Sequence, residues 1–459
     1  MPQPPAATSA RHRLPTDDVS REIQNGADLQ RAIVAYRFWY PTVSAEGIMQ
    51  GSRDVGVADN TTMGIAACGP RQVGFTLNSD TPYGSTTLDL SKGPMVIELP
   101  AGPFIGLVND HHQRWIADLG IPGPDAGRGG RYAILPPDYE GDPPSGHHVA
   151  RSGSVKVLLA ARSMPVDGDL DAALNALRSI EIHPLGEDTA TAFVDTTAEA
   201  MDSSCLRWEN TIDFWRVLHD VLDGEPIVTE FLAMYGLLAT LGITKGRPFA
   251  PDERMTRILE QAAHIGRNEL LVSAFASHRA DRVAWEDRSW EWVGLVPDNA
   301  DFQAGGSIDL EARDRWFAQA IVTSPAMFRR TVGGGSLYWL AARDGTGAFL
   351  DGSRSYTLEI PLPVPAGLFW SVTIYDTETR SQVQADQDRA ALRSLFELIP
   401  EAGETTSMTL HFGPEQTQGL SDRWLQTVPD RDWFCYLRIY GPGEAAFDGS
   451  WRPGDFHTA

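Results

Sequence analysis

The stretch PMVIELPAGPFIGLVNDHH, residues 94–112, carries two apolar runs, MVIEL and FIGLV, parted by Pro100, Gly102 and Pro103. Each run is too short for an ordinary helix and is bounded by turn residues, so the pair reads as two strands. MVIEL is apolar nearly throughout, as a strand covered on both faces would be. The same pattern extends both ways. VGFTLNSDTPYGSTTLDL (73–90), RYAILPPDY (131–139) and HHVARSGSVKVLLAARSMP (147–165) are short β-type runs punctuated by Gly, Pro, Asn and Asp. Punctuation at intervals of about 8–12 residues points to an antiparallel sandwich or barrel.

Helical periodicity flanks this region. In ADLQRAIVAYRFWYP (27–41), Leu29, Ile33, Tyr36 and Tyr40 fall at helical spacing and Pro41 is the expected stop. DLDAALNALRSI (169–180) reads as a helix, residues 205–293 as largely helical, and EARDRWFAQAIV (311–322) as a shorter helix. β character then returns in SRSYTLEIPLPVP, GLFWSVTIYDTET, SMTLHFGP and WFCYLRIYGP. In FWSVTIY, Trp370, Val372 and Ile374 share one face and Ser371, Thr373 and Tyr375 the other. The expected organisation is a disordered leader (1–19), an N-terminal β domain (20–200), a helical connector (201–325) and a C-terminal β domain (326–459). The expected fold class is mainly β with helical insertions.

Of the 459 residues, 61 are acidic and 38 basic, a formal charge of −23. Such a chain repels phosphate backbones and anionic membrane surfaces, which argues against nucleic-acid and membrane partners. Cys68, Cys205 and Cys435 are odd in number and far apart, so neither a disulfide framework nor a cysteine zinc site is expected. The first residues lack an apolar signal-like core, and no long apolar run suggests a membrane span. The default expectation is a cytoplasmic protein.

Several long motifs resemble a known family. NSDTPYGSTTLDL (78–90), GPMVIELP (93–100) and IPGPDAGRGGRYAILPPDYEGDPPSG (121–146) are similar to the bacterial family catalogued as domain of unknown function 1254. Residues 349–387, the HFGP at 411–414 and the segment 423–456 are similar to its usual companion, domain of unknown function 1214. The resemblance covers about residues 30–457. It implies two jelly-roll-like β domains with helical insertions, and little about activity. Two departures stand out: Arg423 where the family often has Asn, and PEAGETTS (400–407) in place of an NADGS-like turn.

Three clusters could carry chemistry. NDHHQRW (109–115) places Asn109, His111 and His112 at a strand end, where His111 and His112 are candidate ligands of a divalent metal. Strand alternation would send the two rings to opposite faces, and the motif lacks HxH or HExxH spacing. NSDTPYG (78–84) offers Asn78, Asp80, Thr81 and Tyr83, with Thr81 held extended by Pro82. Asp80 and His111 would make an acid/base pair, with Tyr83 donating to a developing oxyanion; the alternative is an Asx-type turn in which Asp80 bonds backbone N–H groups. In GPDAGRGGRY (123–132), Arg128 or Arg131 could hold an anion or simply pair with a carboxylate. That loop is not a nucleotide fingerprint, and no flavin or Rossmann signature occurs elsewhere.

In the C-terminal part, Trp370, Tyr375, Arg380, Trp424, Trp433, Arg438 and Tyr440 are candidates for a binding wall or, alternatively, for sandwich core. Three functional readings follow. An enzyme acting on a small polar molecule requires Asp80, Tyr83 and one of the histidines to converge on one cavity. A small-molecule or carbohydrate-binding protein requires a groove walled by Trp370 or Trp424. An assembly role requires a large apolar patch and a homo-oligomer.

Overall fold

The computed structural model describes residues 16–296, 299–320, 322–398, 406–416 and 421–459. Part of the expected leader (1–15) and most of the PEAGETTS turn lie outside these residues. Residues 16–19 are not leader: Thr16 caps a helix at Asp17–Asp54, and Asp17 and Asp18 complement its N-terminal dipole.

That first helix does not stop at Pro41, as the sequence suggested, but carries it internally. A proline there removes one N–H and crowds the preceding turn. The Arg37 carbonyl loses its partner there. On either side of the break the Arg313 guanidinium bonds the Phe38 carbonyl at 2.9 Å and the Gln113 amide the Pro41 carbonyl at 3.0 Å, so tertiary contacts hold the helix through the proline. Near its end the helix backs directly onto another segment: a Cβ on Gly51 would lie 2.0 Å from the Asp202 carbonyl oxygen, and one on Gly47 2.5 Å from that of Ser204. Helix propensity alone would make Gly51→Ala stabilising by about 1 kcal/mol. The clash reverses the sign, and we expect a loss of about 1–3 kcal/mol in urea denaturation; an unchanged or higher midpoint would refute this close contact.

Apart from a small hairpin of Gln303–Ala304 and Ser307–Ile308, the described strands form two pairs of packed sheets. In the N-terminal half, a six-stranded sheet runs in the order Ala192–Asp195, Thr62–Ala66, Tyr83–Asp89, Lys156–Ser163, Phe104–Asp110, Trp115–Gly120. It packs on a four-stranded sheet of His148–Arg151, Gly130–Leu135, Met95–Leu99 and Glu181–Pro184, with Met63, Ile65, Ile97, Val108, Ile134 and Leu159 in the core between them. MVIEL and FIGLV are therefore strands of different sheets, which the PAGP break permits. In the C-terminal half, the five-stranded sheet runs Glu291–Trp292, Ser336–Ala341, Trp433–Pro442, Ala366–Asp376, Ala391–Arg393. A four-stranded sheet built on Tyr356–Pro361 and Ser407–Gly413 covers one of its faces. Pairing is not wholly antiparallel: Thr62–Ala66 pairs in parallel with Ala192–Asp195, Gly130–Leu135 with His148–Arg151, and Ser407–Gly413 with Trp424–Gln426.

Helices Ile212–Gly224, Leu232–Thr240 and Glu253–Phe275 occupy the middle of the chain, and the last of these α-helices ends at Phe275, short of 293. They pack with the first helix and with Leu310–Phe317 into a third core around Tyr36, Trp39, Trp215, Leu259 and Trp316. Tyr375, Phe434 and Tyr436 join this core from the five-stranded sheet. No described helix is long and apolar enough to cross a membrane.

Strand alternation decides what the other face of that sheet offers. Trp370, Val372, Ile374, Trp433, Cys435, Leu437 and Ile439 point into the C-terminal core. Ser371, Thr373, Tyr375, Tyr436, Arg438 and Tyr440 occupy the opposite register positions and meet the helices and the N-terminal half. The candidate site lies on that face.

Candidate functional site

A cavity of about 260 Å³ lies where the six-stranded and five-stranded sheets face one another. Ile105, Leu107, Ala160, Met164, Trp316 and Leu368 supply apolar wall, and Tyr83, Arg162, Tyr338, Tyr436, Arg438 and Tyr440 supply the polar groups. Arg162 reaches it by alternation: Val157, Leu159 and Ala161 enter the N-terminal core, so Ala160 and Arg162 face the cavity.

Asp80 sits behind this wall. Asn78, and not Asp80, makes the expected Asx-type turn, its Oδ1 accepting the N–H groups of Asp80 (3.0 Å) and Thr81 (3.4 Å). The Asp80 side chain is thereby free to cross the seam. Its Oδ2 accepts hydrogen bonds from the Ser371 hydroxyl at 2.9 Å and the Tyr440 hydroxyl at 3.0 Å, while Oδ1 is buried without a hydrogen-bond partner. Tyr440 in turn accepts a long contact, 3.5 Å, from the Arg162 guanidinium, which also lies 5.9 Å from the Tyr83 ring centre. Burial holds the Tyr83 and Tyr440 phenols above their usual range, so both are neutral donors.

The second guanidinium is fixed more firmly. Arg438 donates to Thr373 Oγ1 at 3.1 Å and to the Thr76 carbonyl at 2.9 Å, and it stacks over Tyr436 at 4.9 Å. Thr76 lines the cavity with φ 49°, a left-handed conformation unfavourable for a β-branched residue. Its N–H donates to the Arg380 carbonyl at 2.8 Å and its hydroxyl to the Gln319 carbonyl at 2.7 Å, so the surroundings hold it there. Strain over-determined in this way is found preferentially at functional walls.

The histidines belong elsewhere. The strand stops at Asp110, and His111 and His112 sit in a turn whose rings part. Asp110 Oδ1 accepts the N–H groups of His112 and Arg114, and its Oδ2 accepts from the Arg114 guanidinium at 2.7 Å. His111 lies between two carboxylates: Nδ1 bonds Glu225 Oε1 at 2.9 Å, and Nε2 makes a 3.0 Å charge contact with Glu46 Oε2 that is not aligned as a hydrogen bond. Burial works against a charge on His111, but Glu225 and Glu46 outweigh it and hold the imidazole above its usual value. His112 bonds the Thr42 hydroxyl at 3.0 Å, and burial pushes it down to about 4, so it is neutral. NDHH thus ties the first helix and the end of the Ile212–Gly224 helix to the N-terminal sheet.

Neither histidine lines the cavity, and His111 shares no hydrogen-bonding partner with Asp80. The expected convergence of Asp80, Tyr83 and His111 is therefore not present. No group of three or more His, Cys, Asp or Glu among the described residues is arranged to hold a metal, so the proposed His111/His112 ligand pair is not assembled. Asn109 is equally structural, its side chain bonding the Thr323 backbone from both its ends at 3.0 and 2.8 Å.

Other candidates resolve in the same way. Trp370 and Trp424 are each 7% exposed; Trp370 packs in the C-terminal core, and the Trp424 indole donates to the Gly413 carbonyl. Neither walls a groove. Tyr375 is buried beside Arg438 and donates to the Leu77 carbonyl at 2.7 Å. Thr81 is buried with its hydroxyl unpartnered. Arg131 is largely exposed and pairs with Glu98 at 2.9 Å, while the Gly-rich loop before it is organised by Asp125, which accepts from Gly120 N, Gly129 N and the Tyr132 hydroxyl. Arg162 and Tyr338 were not anticipated. The available signal was an arginine set into the otherwise apolar strand KVLLAARS.

A second cavity, about 350 Å³, is lined by Trp115, Pro124, Tyr132 and His148 and shares Asp118, Pro122 and Arg329 with the first. Asp118 accepts the Ser324 hydroxyl at 2.6 Å.

Two β-sheet units that share one partly cationic cavity define the class of protein. Residues 65–184 match the family described as Protein of unknown function (DUF1254), and residues 335–444 match Protein of unknown function (DUF1214). The chain therefore belongs among proteins that carry these two domains in this order. Among solved structures it is similar to the VPA0106 protein from Vibrio parahaemolyticus, with TM-score 0.58 and 18% identity over 94% of this chain and 100% of that one, a likeness of fold. An uncharacterized protein from Burkholderia cenocepacia aligns over 95% of this chain and 96% of its own at TM-score 0.42 and 12% identity. No curated protein matches this chain.

Proposed function

We propose that the protein binds a small organic molecule in the cavity between its two β domains. The observation that carries this reading is convergence: apolar wall from both sheets surrounds a few polar groups, Tyr83, Arg162, Tyr338, Arg438 and Tyr440, that reach one space from distant parts of the sequence. Mostly apolar concavities with a few placed polar groups are the usual form of a ligand site. Each sheet pair reads here as a jelly-roll-like domain and the central helices as the connector that holds the two at the seam.

The test combines untargeted mass spectrometry of molecules released from denatured protein with a thermal-stability screen of small organic compounds. A true ligand at 100 times its Kd adds about 2.7 kcal/mol to stability. Ala160→Leu, which fills the cavity, should abolish that gain while leaving the circular dichroism unchanged. A ligand response that survives Ala160→Leu would sink the assignment to this cavity.

A catalytic reading is favoured by one feature, the buried and unpartnered Oδ1 of Asp80 beside the Tyr440 hydroxyl. In it Tyr440 passes a proton between a bound molecule and Asp80. Tyr440→Phe would then stop turnover of the ligand found above while leaving its binding nearly intact; undiminished turnover would exclude the relay.

A further inference from the structure

We infer that the molecule bound in this cavity is an organic monocarboxylate with an apolar body, its carboxylate seated on Arg162 and the Tyr440 hydroxyl. The inference rests on the cavity being the binding site and adds the chemical class of its occupant.

The argument is one of charge and unused donors. Three guanidiniums line the cavity, those of Arg162, Arg329 and Arg438. Arg438 is held by two hydrogen bonds, to the Thr373 hydroxyl and the Thr76 carbonyl, and Asp118 in the same wall acts electrostatically on Arg329. Arg162 bonds no carboxylate directly; Asp80 reaches it only through the shared Tyr440 hydroxyl. Among the described residues it forms no ion pair, and its one hydrogen bond is the 3.5 Å contact to Tyr440. A guanidinium has five N–H donors, and a half-buried cation with donors unused favours an anion that takes them.

Arg162 therefore presents to the cavity a cation with most of its donors unused, on a planar fork that matches a carboxylate. Tyr440 adds a neutral O–H beside it, and the Tyr83 ring centre lies 5.9 Å from the guanidinium. Ile105, Leu107, Met164 and Leu368 of the same wall suit an apolar body, and Arg438 already spends its donors on Thr373 and Thr76. A single negative charge on an apolar body fits this distribution, and a dianion such as a phosphate monoester leaves one charge unmet.

The probes are benzoate, benzamide and phenyl phosphate, titrated by calorimetry into the full-length protein. We expect benzoate to bind about 10- to 100-fold more tightly than benzamide, the usual advantage of a charge-assisted bond, and more tightly than phenyl phosphate. Arg162→Gln should bring benzoate down to the benzamide affinity, and Arg162→Lys should retain part of the preference; near-ultraviolet circular dichroism verifies that both variants fold. Equal affinity of acid and amide for the natural chain overturns the inference without any variant, and leaves the cavity as a site for neutral molecules. Preference for phenyl phosphate replaces the monoanion by a dianion and overturns it too. If none of the three binds and denatured protein releases no small molecule, the binding reading falls together with the inference.

Discussion

Replacing Glu209 with alanine should remove about 3–5 kcal/mol of stability, the cost of leaving buried charges unpaired. Glu209 is 2% exposed and sits where three parts of the chain meet. It accepts from Arg380 at 2.6 Å, from Arg267 at 2.8 Å and from the Tyr40 hydroxyl at 2.7 Å. Burial opposes its ionisation, but the Arg380 and Arg267 guanidiniums outweigh burial and hold the carboxyl below its usual range. Arg380 is itself 1% exposed and belongs to the C-terminal β half, Arg267 to the Glu253–Phe275 helix and Tyr40 to the first helix. Loss of the carboxylate strands two cations at the junction that also carries Thr76 through the Arg380 carbonyl. Chemical denaturation of Glu209→Ala, with Glu209→Gln as the uncharged isostere, measures the effect. Losses under about 1 kcal/mol in both would show the cluster to be dispensable.

The second large effect is pH-dependent. His111 is held above its ordinary value of 6.5 by Glu225 and Glu46 against the opposing effect of burial. A group whose folded pKa is raised contributes stability that is fully present below its unfolded value and fades as pH rises through the folded one. Glu46 and Glu225, held low despite burial chiefly by His111, contribute above about 4.5 and lose that contribution on acidification. His112 acts in the opposite sense to His111: kept neutral down to about 4, it costs stability as pH falls below 6.5, because the unfolded chain takes up its proton first. The difference between the natural chain and His111→Gln reports His111 together with the two carboxylates it holds. We expect that difference to be about 3 kcal/mol at pH 6 and to shrink toward pH 9. A penalty equal at both pH values would show that His111 is held uncharged in the fold.

Much of the architecture was written in short-range pattern. FWSVTIY assigns Trp370, Val372 and Ile374 to one face and Ser371, Thr373 and Tyr375 to the other, and the structure puts the first set in the core and the second at the seam. Arg438 and Tyr440 stood among the candidate wall residues and do line the cavity, because the same alternation that buries Cys435 and Ile439 turns them outward. The tryptophans Trp370 and Trp424 read as wall or, more often for such stripes, as core, and packing decided for the core. What pattern could not show is pairing across sequence distance. His111 meets Glu46 and Glu225, Asp80 meets Ser371 and Tyr440, and Asn109 meets Thr323. None of these pairs has a local signature, so NDHH looked like chemistry when its partners make it a tie between helix and sheet. Pro41 failed as a stop for a related reason, since side chains more than 70 residues away bond the Phe38 and Pro41 carbonyls and hold the helix through it.

The cavity account predicts where a ligand must lie. The most direct measurement is a crystal structure of the full-length protein with the small molecule that stabilises it most. Density between the Arg162 guanidinium, the Tyr440 hydroxyl and the Trp316 side of the cavity is the predicted result. An empty cavity, with the ligand ordered at any other place on the molecule, would contradict it.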